Sequence, residues 1–189
     1  MVHTMKHITI KSSLLTFDNI LEKAQLRAGH FVADLGCGNN LSFLYNISQK
    51  IGEKGLIYAI DLIPSIIDQL KRELAYHDLN GVVPIQGNLD EQNGIELKDH
   101  SVDISFLLNT LHQSSDTLTM LSEAHRITKS NGKILIIDWD ESDNHGLGPH
   151  ISRRLKKNAV IESAHLLQLE LLEDFKPGPY HFGLIFIKK

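Results

Sequence analysis

Apolar residues in this chain fall into two kinds of run, and the two alternate. Short continuous runs have the length and side-chain type of buried strands: Phe31-Val32-Ala33-Asp34-Leu35, Leu56-Ile57-Tyr58-Ala59-Ile60, and residues 81–86, 102–108 and 133–139. Between them apolar positions recur at helical spacing, as Phe17, Ile20, Leu21 and Ala24, then from Leu41 to Ile51, then Ile66, Ile67, Leu70 and Leu74. A fourth set is Leu118, Leu121, Ala124, His125 and Ile127, capped by Asp116 and expected to end at Asn131-Gly132. Leu26-Arg27-Ala28-Gly29 is expected to close the first helix, and Pro64 to open the third. Residues 90–98 predict a loop or an irregular helix, and part of 152–165 another helix. Two last strand-like runs, 167–175 and 180–187, are separated by Pro177-Gly178-Pro179. Residues 1–13 carry no clear period, and 1–16 read as a flexible tail or a lid.

Alternating strands and helices predict a parallel sheet with right-handed crossovers and helices on both faces. The turn before the last strand is too short for a parallel crossover, so the final pair must be an antiparallel hairpin. The expected fold is α/β, a seven-stranded and mostly parallel sheet. With no linker or repeat, residues 1–189 read as one domain.

The chemistry gathers between Phe31 and Asp61. Gly36 and Gly38 follow the first strand, a helix follows them, and the next strand closes on an acid, 25 residues after Gly36. Glycines there let backbone approach a ligand, the helix start offers unpaired N–H groups, and Asp61 can accept both hydroxyl protons of a ribose. Two residues argue against a dinucleotide. Leu41 stands where a pyrophosphate fingerprint wants its third glycine, and Asp34 sits just before the turn, where it would repel phosphates and suit an ammonium. A ligand with carboxylate, ammonium and ribose fits better, which is S-adenosylmethionine (SAM). Val32-Ala33-Asp34-Leu35-Gly36-Cys37-Gly38 resembles motif I of the class I SAM-dependent methyltransferases, with Asn39-Asn40 a mild departure from the pattern. His112 after Leu111 and the closing Gly178-Pro179-Tyr180-His181-Phe182-Gly183 resemble the type 11 methyltransferase domain, near the quinone-biosynthesis C-methyltransferases.

That resemblance covers nearly the whole chain and implies the Rossmann-like class I methyltransferase fold. It implies SAM as cofactor, held by Asp34, Gly36, Cys37, Gly38, Asp61, Leu62, Asn88, Leu89 and Asn109. Gly87-Asn88 stands where the family often has Gly-Asp facing the adenine amino group, and Leu62 could pack on the adenine face. His112, three residues past Asn109, is the candidate general base or substrate-orienting donor. Gly146, Gly148 and Pro149 predict a shaped, movable loop over residues 140–151 that orders on substrate binding, with Trp139, His150 and Arg153 as further candidates to meet the acceptor.

Composition narrows the partners. A net charge of −4 argues against non-specific nucleic-acid binding. The single cysteine, Cys37, rules out a disulfide framework and the multi-thiolate chemistry of arsenite methyltransferases. Asn109-Thr110-Leu111-His112 lacks the Asn/Asp-Pro-Pro-Tyr of nucleic-acid and protein amide methyltransferases. His145, His150, His165 and His181 are scattered over a loop, a helix and a turn, so no metal is expected. Without a signal segment or membrane span, the chain reads as cytoplasmic. The expected activity is methyl transfer from SAM to a small-molecule acceptor by in-line displacement. The rivals are a SAM-binding protein without transferase activity and an NAD-dependent oxidoreductase.

Overall fold

The computed structural model describes Leu15, residues 17–142 and residues 146–189. The tail or lid expected at 1–16 therefore lies outside the described residues except for Leu15, as do His145 and its two predecessors. The order of elements is α1 (Phe17–Ala24), β1 (Phe31–Leu35), α2 (Leu41–Ile51), β2 (Leu56–Asp61), α3 (Pro64–Tyr76) and β3 (Val82–Gln86). Then come β4 (Val102–Leu108), α4 (Thr117–Ile127), β5 (Thr128–Trp139), α5 (Lys157–Leu166), β6 (Leu169–Gly178) and β7 (His181–Lys188), with single 3-10 turns at Leu111–Gln113 and Ile151–Arg153.

The seven strands form one sheet in the order β3-β2-β1-β4-β5-β7-β6. The first five run parallel, and β7 pairs antiparallel with both β5 and β6, as the short final turn requires. Period-2 alternation divides the core. Val32, Ile104, Phe106, Leu135 and Ile137 face α1, α2 and α3, whereas Ala33, Leu107, Ile134 and Ile136 face α4 and α5. Both faces are apolar because both are covered, which is why the strands read as continuous runs. Among the described residues no helix is long and apolar enough to cross a membrane.

Several boundaries differ from expectation. Helix α1 stops at Ala24, because Gln25 turns into the left-handed region at φ 56°. Helix α4 ends at Ile127, and Asn131-Gly132 lies inside β5, with Asn131 at φ 62°. There the pairing with β4 slips between Val102 and Ile104, and a Cβ on Gly132 would come within 2.8 Å of the Asp103 carbonyl. The Asn-Gly pair serves a bulge in the strand and not a helix end. In α4 Leu118 is exposed and Met120 and Glu123 are buried, because the helix leans on the 90–100 loop. Strand β6 runs through Pro177 to Gly178, which leaves only Pro179 and Tyr180 as the hairpin turn. Asn40 is not a stand-in for a left-handed glycine: at φ −94° it caps α2, its side chain accepting from Phe43 N at 3.3 Å.

Residues 90–98 form a loop, held by charge. Glu123, 2% exposed, accepts from Asn93 N at 2.8 Å, and the Arg126 guanidinium bonds Glu123 at 3.0 and 2.8 Å, Asp99 at 3.0 Å and the Ile95 and Leu97 carbonyls. Removing Arg126 leaves a buried carboxylate uncompensated. Arg126→Ala is expected to lower stability by about 3 kcal/mol, read as a shifted midpoint in urea denaturation, whereas removing an exposed pair such as Lys71–Asp68 should change it by less than about 0.5 kcal/mol.

Candidate active site

Where strand order reverses, between β1 and β4, the sheet opens a crevice at its carboxyl edge. The turn after β1 enters it with its shape set by hydrogen bonds: Gly36 N and Cys37 N both donate to Ile60 O, at 2.8 and 2.9 Å. Gly36 adopts φ 76°, and a Cβ there would stand 2.4 Å from Thr110 Cγ2. Thr110 follows β4, and its Oγ1 lies 3.0 Å from Leu35 O and 3.1 Å from Leu108 O, donating to the chain on both sides of the crevice. Gly38, at φ 53° with open space where its Cβ would be, donates its N–H to Asp61 Oδ2 at 2.9 Å. Asp61 Oδ1 accepts from Ile63 N at 3.0 Å, so the carboxylate is clamped between two backbone donors and keeps lone pairs for a ligand.

Two recesses flank this turn and share Gly36, Gly38 and Gln113, forming one trough. The smaller, ≈ 320 Å³, is walled by Asp61, Leu62, Ile63, Asn88, Leu89 and Asp90. Leu62 and Ile63 are 55% and 52% exposed, two large apolar side chains beside a carboxylate. Leu89 is buried, while the Asn88 side chain is taken up by its loop, its oxygen accepting from Asp90 N at 3.1 Å and its amide donating to Glu91 at 2.8 Å. The larger recess, ≈ 620 Å³, is lined by Cys37, Asn39, Asn109, Phe17, Glu73 and His77 among others. Asn109 is held at φ 54°, and its Oδ1 is buried with no hydrogen-bond partner among the described residues. Beneath the turn Asp34 is 2% exposed, and burial, with the Asp61 charge second, pushes its carboxyl up to about 7. Burial, then Asp34 and Asp61, pushes the Cys37 thiol well above the ordinary thiol range.

A third recess, ≈ 740 Å³, continues from Gln113 past His112, Ser114 and Pro149 to Arg153 and Leu155. His112 is fixed at its edge by Asp138, a fully buried carboxylate at the end of β5. Asp138 Oδ1 lies 2.8 Å from His112 Nδ1 and accepts from Trp139 N at 2.8 Å, while Oδ2 accepts from His112 N at 3.1 Å. Trp139 itself is buried, its ring 4.3 Å from that of His181 and lying under Gly148, where a Cβ would stand 2.5 Å from the indole. Arg154 lies over the same indole and donates to the carbonyls of Pro149, Asp140 and Leu147. Arg153 is exposed on the recess wall, and His150 caps the 3-10 turn beside it through Ser152.

The structure thus brings Gly36, Cys37, Gly38, Asp61, Leu62, Asn88, Leu89 and Asn109 around one trough, leaves Asp34 buried beneath the turn and lining none of the recesses, and sets His112 and Arg153 on the adjoining recess, while Trp139 and His150 serve the loop. Thr110, Gln113 and Asp90 were not anticipated as lining residues. Asp138 is one more acid near a strand end, and nothing in the linear order joins it to His112, 26 residues earlier.

A family model described as a methyltransferase domain matches residues 26–174. The chain belongs to this methyltransferase-domain family. Among solved structures it resembles a SAM-dependent methyltransferase of Aquifex aeolicus, at 25% identity and a TM-score of 0.85, over 94% of this chain and 92% of that one. A type 11 methyltransferase described as putative, of Sulfolobus solfataricus, matches at 27% identity and a TM-score of 0.72, over 94% of each chain. A demethylmenaquinone methyltransferase of Oceanobacillus iheyensis is 23% identical over 64% of this chain, and human arsenite methyltransferase 27% identical over 57%. The chain spans 49% and 30% of those two curated relatives. The family and its fold imply SAM binding, and the seven-stranded sheet with its terminal hairpin is the methyltransferase fold expected from the sequence.

In this methyltransferase domain the Gly36–Thr110 contact separates two costs. Gly36→Ala pays for a left-handed alanine, about 1–2 kcal/mol, and for the collision with Thr110. Adding Thr110→Ala should recover the second part and leave the first, read as a non-additive double-mutant cycle in denaturant unfolding.

Proposed function

We propose that this domain binds SAM along the trough and passes its methyl group to a small-molecule acceptor entering from the recess beside His112. The observation that carries this reading is the Asp61 carboxylate, clamped by Gly38 N and Ile63 N on the wall of the trough, with Asn109 beside the same turn holding a buried Oδ1 that has no hydrogen-bond partner among the described residues. Burying such an atom costs about 1–3 kcal/mol, and an ammonium group supplies the missing donor. Asp34 lies beneath the turn as a countercharge, and its carboxyl near 7 is poised to ionise when a cation arrives. Gly36, Cys37 and Gly38 let backbone close on the ligand, Asp61 is left with lone pairs for ribose hydroxyls, and Leu62 and Ile63 offer an apolar face for a base. Asn88 and Leu89 form the edge of that pocket, where the Asn88 oxygen has a second lone pair beyond the one Asp90 uses.

When bound, SAM supplies a methyl group already activated on a sulfonium. The chain's residues then have to hold the two reactants in line and keep water out, which can account for several kcal/mol of barrier. The arsenite chemistry of the human relative does not suit this chain, since its one cysteine is buried and its thiol is held protonated. A pyrophosphate is disfavoured too, because Leu41 occupies the third-glycine place and is buried in the core.

Replacing Asp61 by Ala should weaken SAM by about 2–3 kcal/mol, the scale of charge-assisted hydrogen bonds; unchanged affinity by calorimetry would refute the ribose assignment. Formation of S-adenosylhomocysteine in the presence of acceptor would exclude a binding-only role.

Asp34 makes the affinity pH-dependent. Its carboxyl is largely protonated below 7 and a cationic ligand favours the ionised form, so affinity should rise through pH 6–7.5 and flatten above, with proton release on binding. For the protein without ligand the sign is opposite. A carboxyl raised from 3.8 to about 7 contributes stability at acid pH that is lost as pH climbs through 7, so Asp34→Asn should gain on the wild type by up to about 4 kcal/mol between pH 4 and 8. Calorimetry in buffers of different ionisation heat checks the first, and paired denaturation curves the second.

A further inference from the structure

We infer that Asp138 is a positioning residue that fixes the His112 tautomer, with the proton on Nδ1 and the Nε2 lone pair toward the third recess, and that the acceptor is an aryl or enol hydroxyl compound bearing an acidic group. The inference rests on the methyltransferase reading above.

Asp138 is fully buried at the end of β5, and both its oxygens are committed to His112 or its neighbour. Oδ1 meets His112 Nδ1 at 2.8 Å and Trp139 N at 2.8 Å, and Oδ2 meets His112 N at 3.1 Å. A carboxylate can only accept, so Nδ1 must carry the proton, and in the neutral ring Nε2 is then the base. Nε2 has no partner among the described residues, and His112 lines the recess that continues from the trough through Gln113. The carboxylate that sets the tautomer also stabilises the imidazolium once Nε2 takes a proton. The other charged groups facing this recess are Arg153 and Arg154, both from the loop after β5.

That arrangement selects an acceptor. An aromatic thiol ionises by itself near neutrality, and an aromatic amine is already its free base there. A phenolic or enolic hydroxyl, with a pKa of about 10, is a poor nucleophile until its proton leaves, and it lies within reach of an imidazole base. The acceptor O–H bond breaks with its electron pair left on oxygen and the proton passes to His112 Nε2. The oxygen forms the new O–CH3 bond, and the S–CH3 bond breaks with its pair on sulfur, leaving a neutral thioether. The proton then leaves His112 for water. Arg153 gives the second feature: its guanidinium is exposed on the recess wall with no ion pair or hydrogen bond of its side chain among the described residues, a ready partner for a carboxylate on the acceptor.

Nitrogen-15 NMR of the His112 ring in the full chain saturated with S-adenosylhomocysteine tests the first half without any acceptor. The expected result is that the neutral ring carries its proton on Nδ1, changing to Nε2 in Asp138→Asn; a neutral wild-type ring protonated on Nε2 overturns the assignment whether or not the variant folds. Loss of S-adenosylhomocysteine binding would instead count against the cofactor reading. For the second half, radiolabelled SAM is offered with 3,4-dihydroxybenzoate, catechol, 4-aminobenzoate and 4-mercaptobenzoate. Transfer is expected to 3,4-dihydroxybenzoate, about tenfold less efficient with catechol, and with Arg153→Ala this preference should vanish. Asp138→Asn and His112→Gln should each lower kcat by about 100-fold or more with KM little changed, the wild-type rate following a single ionisation. Transfer to the amine or thiol in preference to the hydroxyl, or to none of the four, overturns the acceptor class.

Discussion

The contact between Gly36 and Thr110 holds together the crevice on which the rest of the site depends. Parallel strands β1 and β4 are neighbours whose following segments leave in opposite directions, and without a tie the gap between them would have no defined width. Thr110 supplies the tie, reaching the carbonyls at the ends of both strands with one hydroxyl while its methyl group sits where a Gly36 Cβ would be. The glycine therefore has two reasons, a positive φ and a close approach, and the second comes from a residue 74 positions away. Gly38 needs only the first, and its N–H goes to Asp61, so the turn and the acid at the end of β2 are tied to each other.

Three acids stand at carboxyl ends of strands in this sheet, and their surroundings give them different properties. Asp34 is enclosed by apolar core, and its proton is held by burial and by the neighbouring Asp61 charge. Asp61 is part-exposed and clamped by two backbone donors. Asp138 is as buried as Asp34 but is surrounded by donors, two backbone N–H groups and an imidazole. The same residue type thus stands as a carboxyl raised by burial, a carboxylate held by two backbone donors and one held by two backbone N–H groups and an imidazole, according to how many donors each meets.

The loop after β5 has two glycines, and composition suggests mobility. One of them has another cause. Gly148 lies against the face of Trp139 at a distance no side chain would tolerate, while Arg154 covers the indole and gathers three loop carbonyls. The described part of the loop, residues 146–154, is held against Trp139 by Gly148 and Arg154, with Arg153 exposed beside Arg154 at the recess.

Much of the fold was legible because buried parallel strands and amphipathic helices write their own periods. The runs at Phe31, Leu56 and Val102, the Asp116 cap and the final hairpin follow from local chemistry: apolar repeat, capping oxygen, and a turn too short for a crossover. Asp34, Gly36, Gly38 and Asp61 were legible for the same reason, since a strand–turn–helix–strand unit places them by spacing alone. The Asn131-Gly132 bend was misread because a helix end and a bulge want the same left-handed residue, and only the pairing with β4 distinguishes them. What no local pattern could carry was partnership across the sheet: Thr110 with Gly36, Arg126 with Glu123 and the 90–100 loop, Asp138 with His112. Each depends on which strands or segments become neighbours, and that is decided by the sheet order β2-β1-β4-β5, a property of the packed chain and not of any stretch of it.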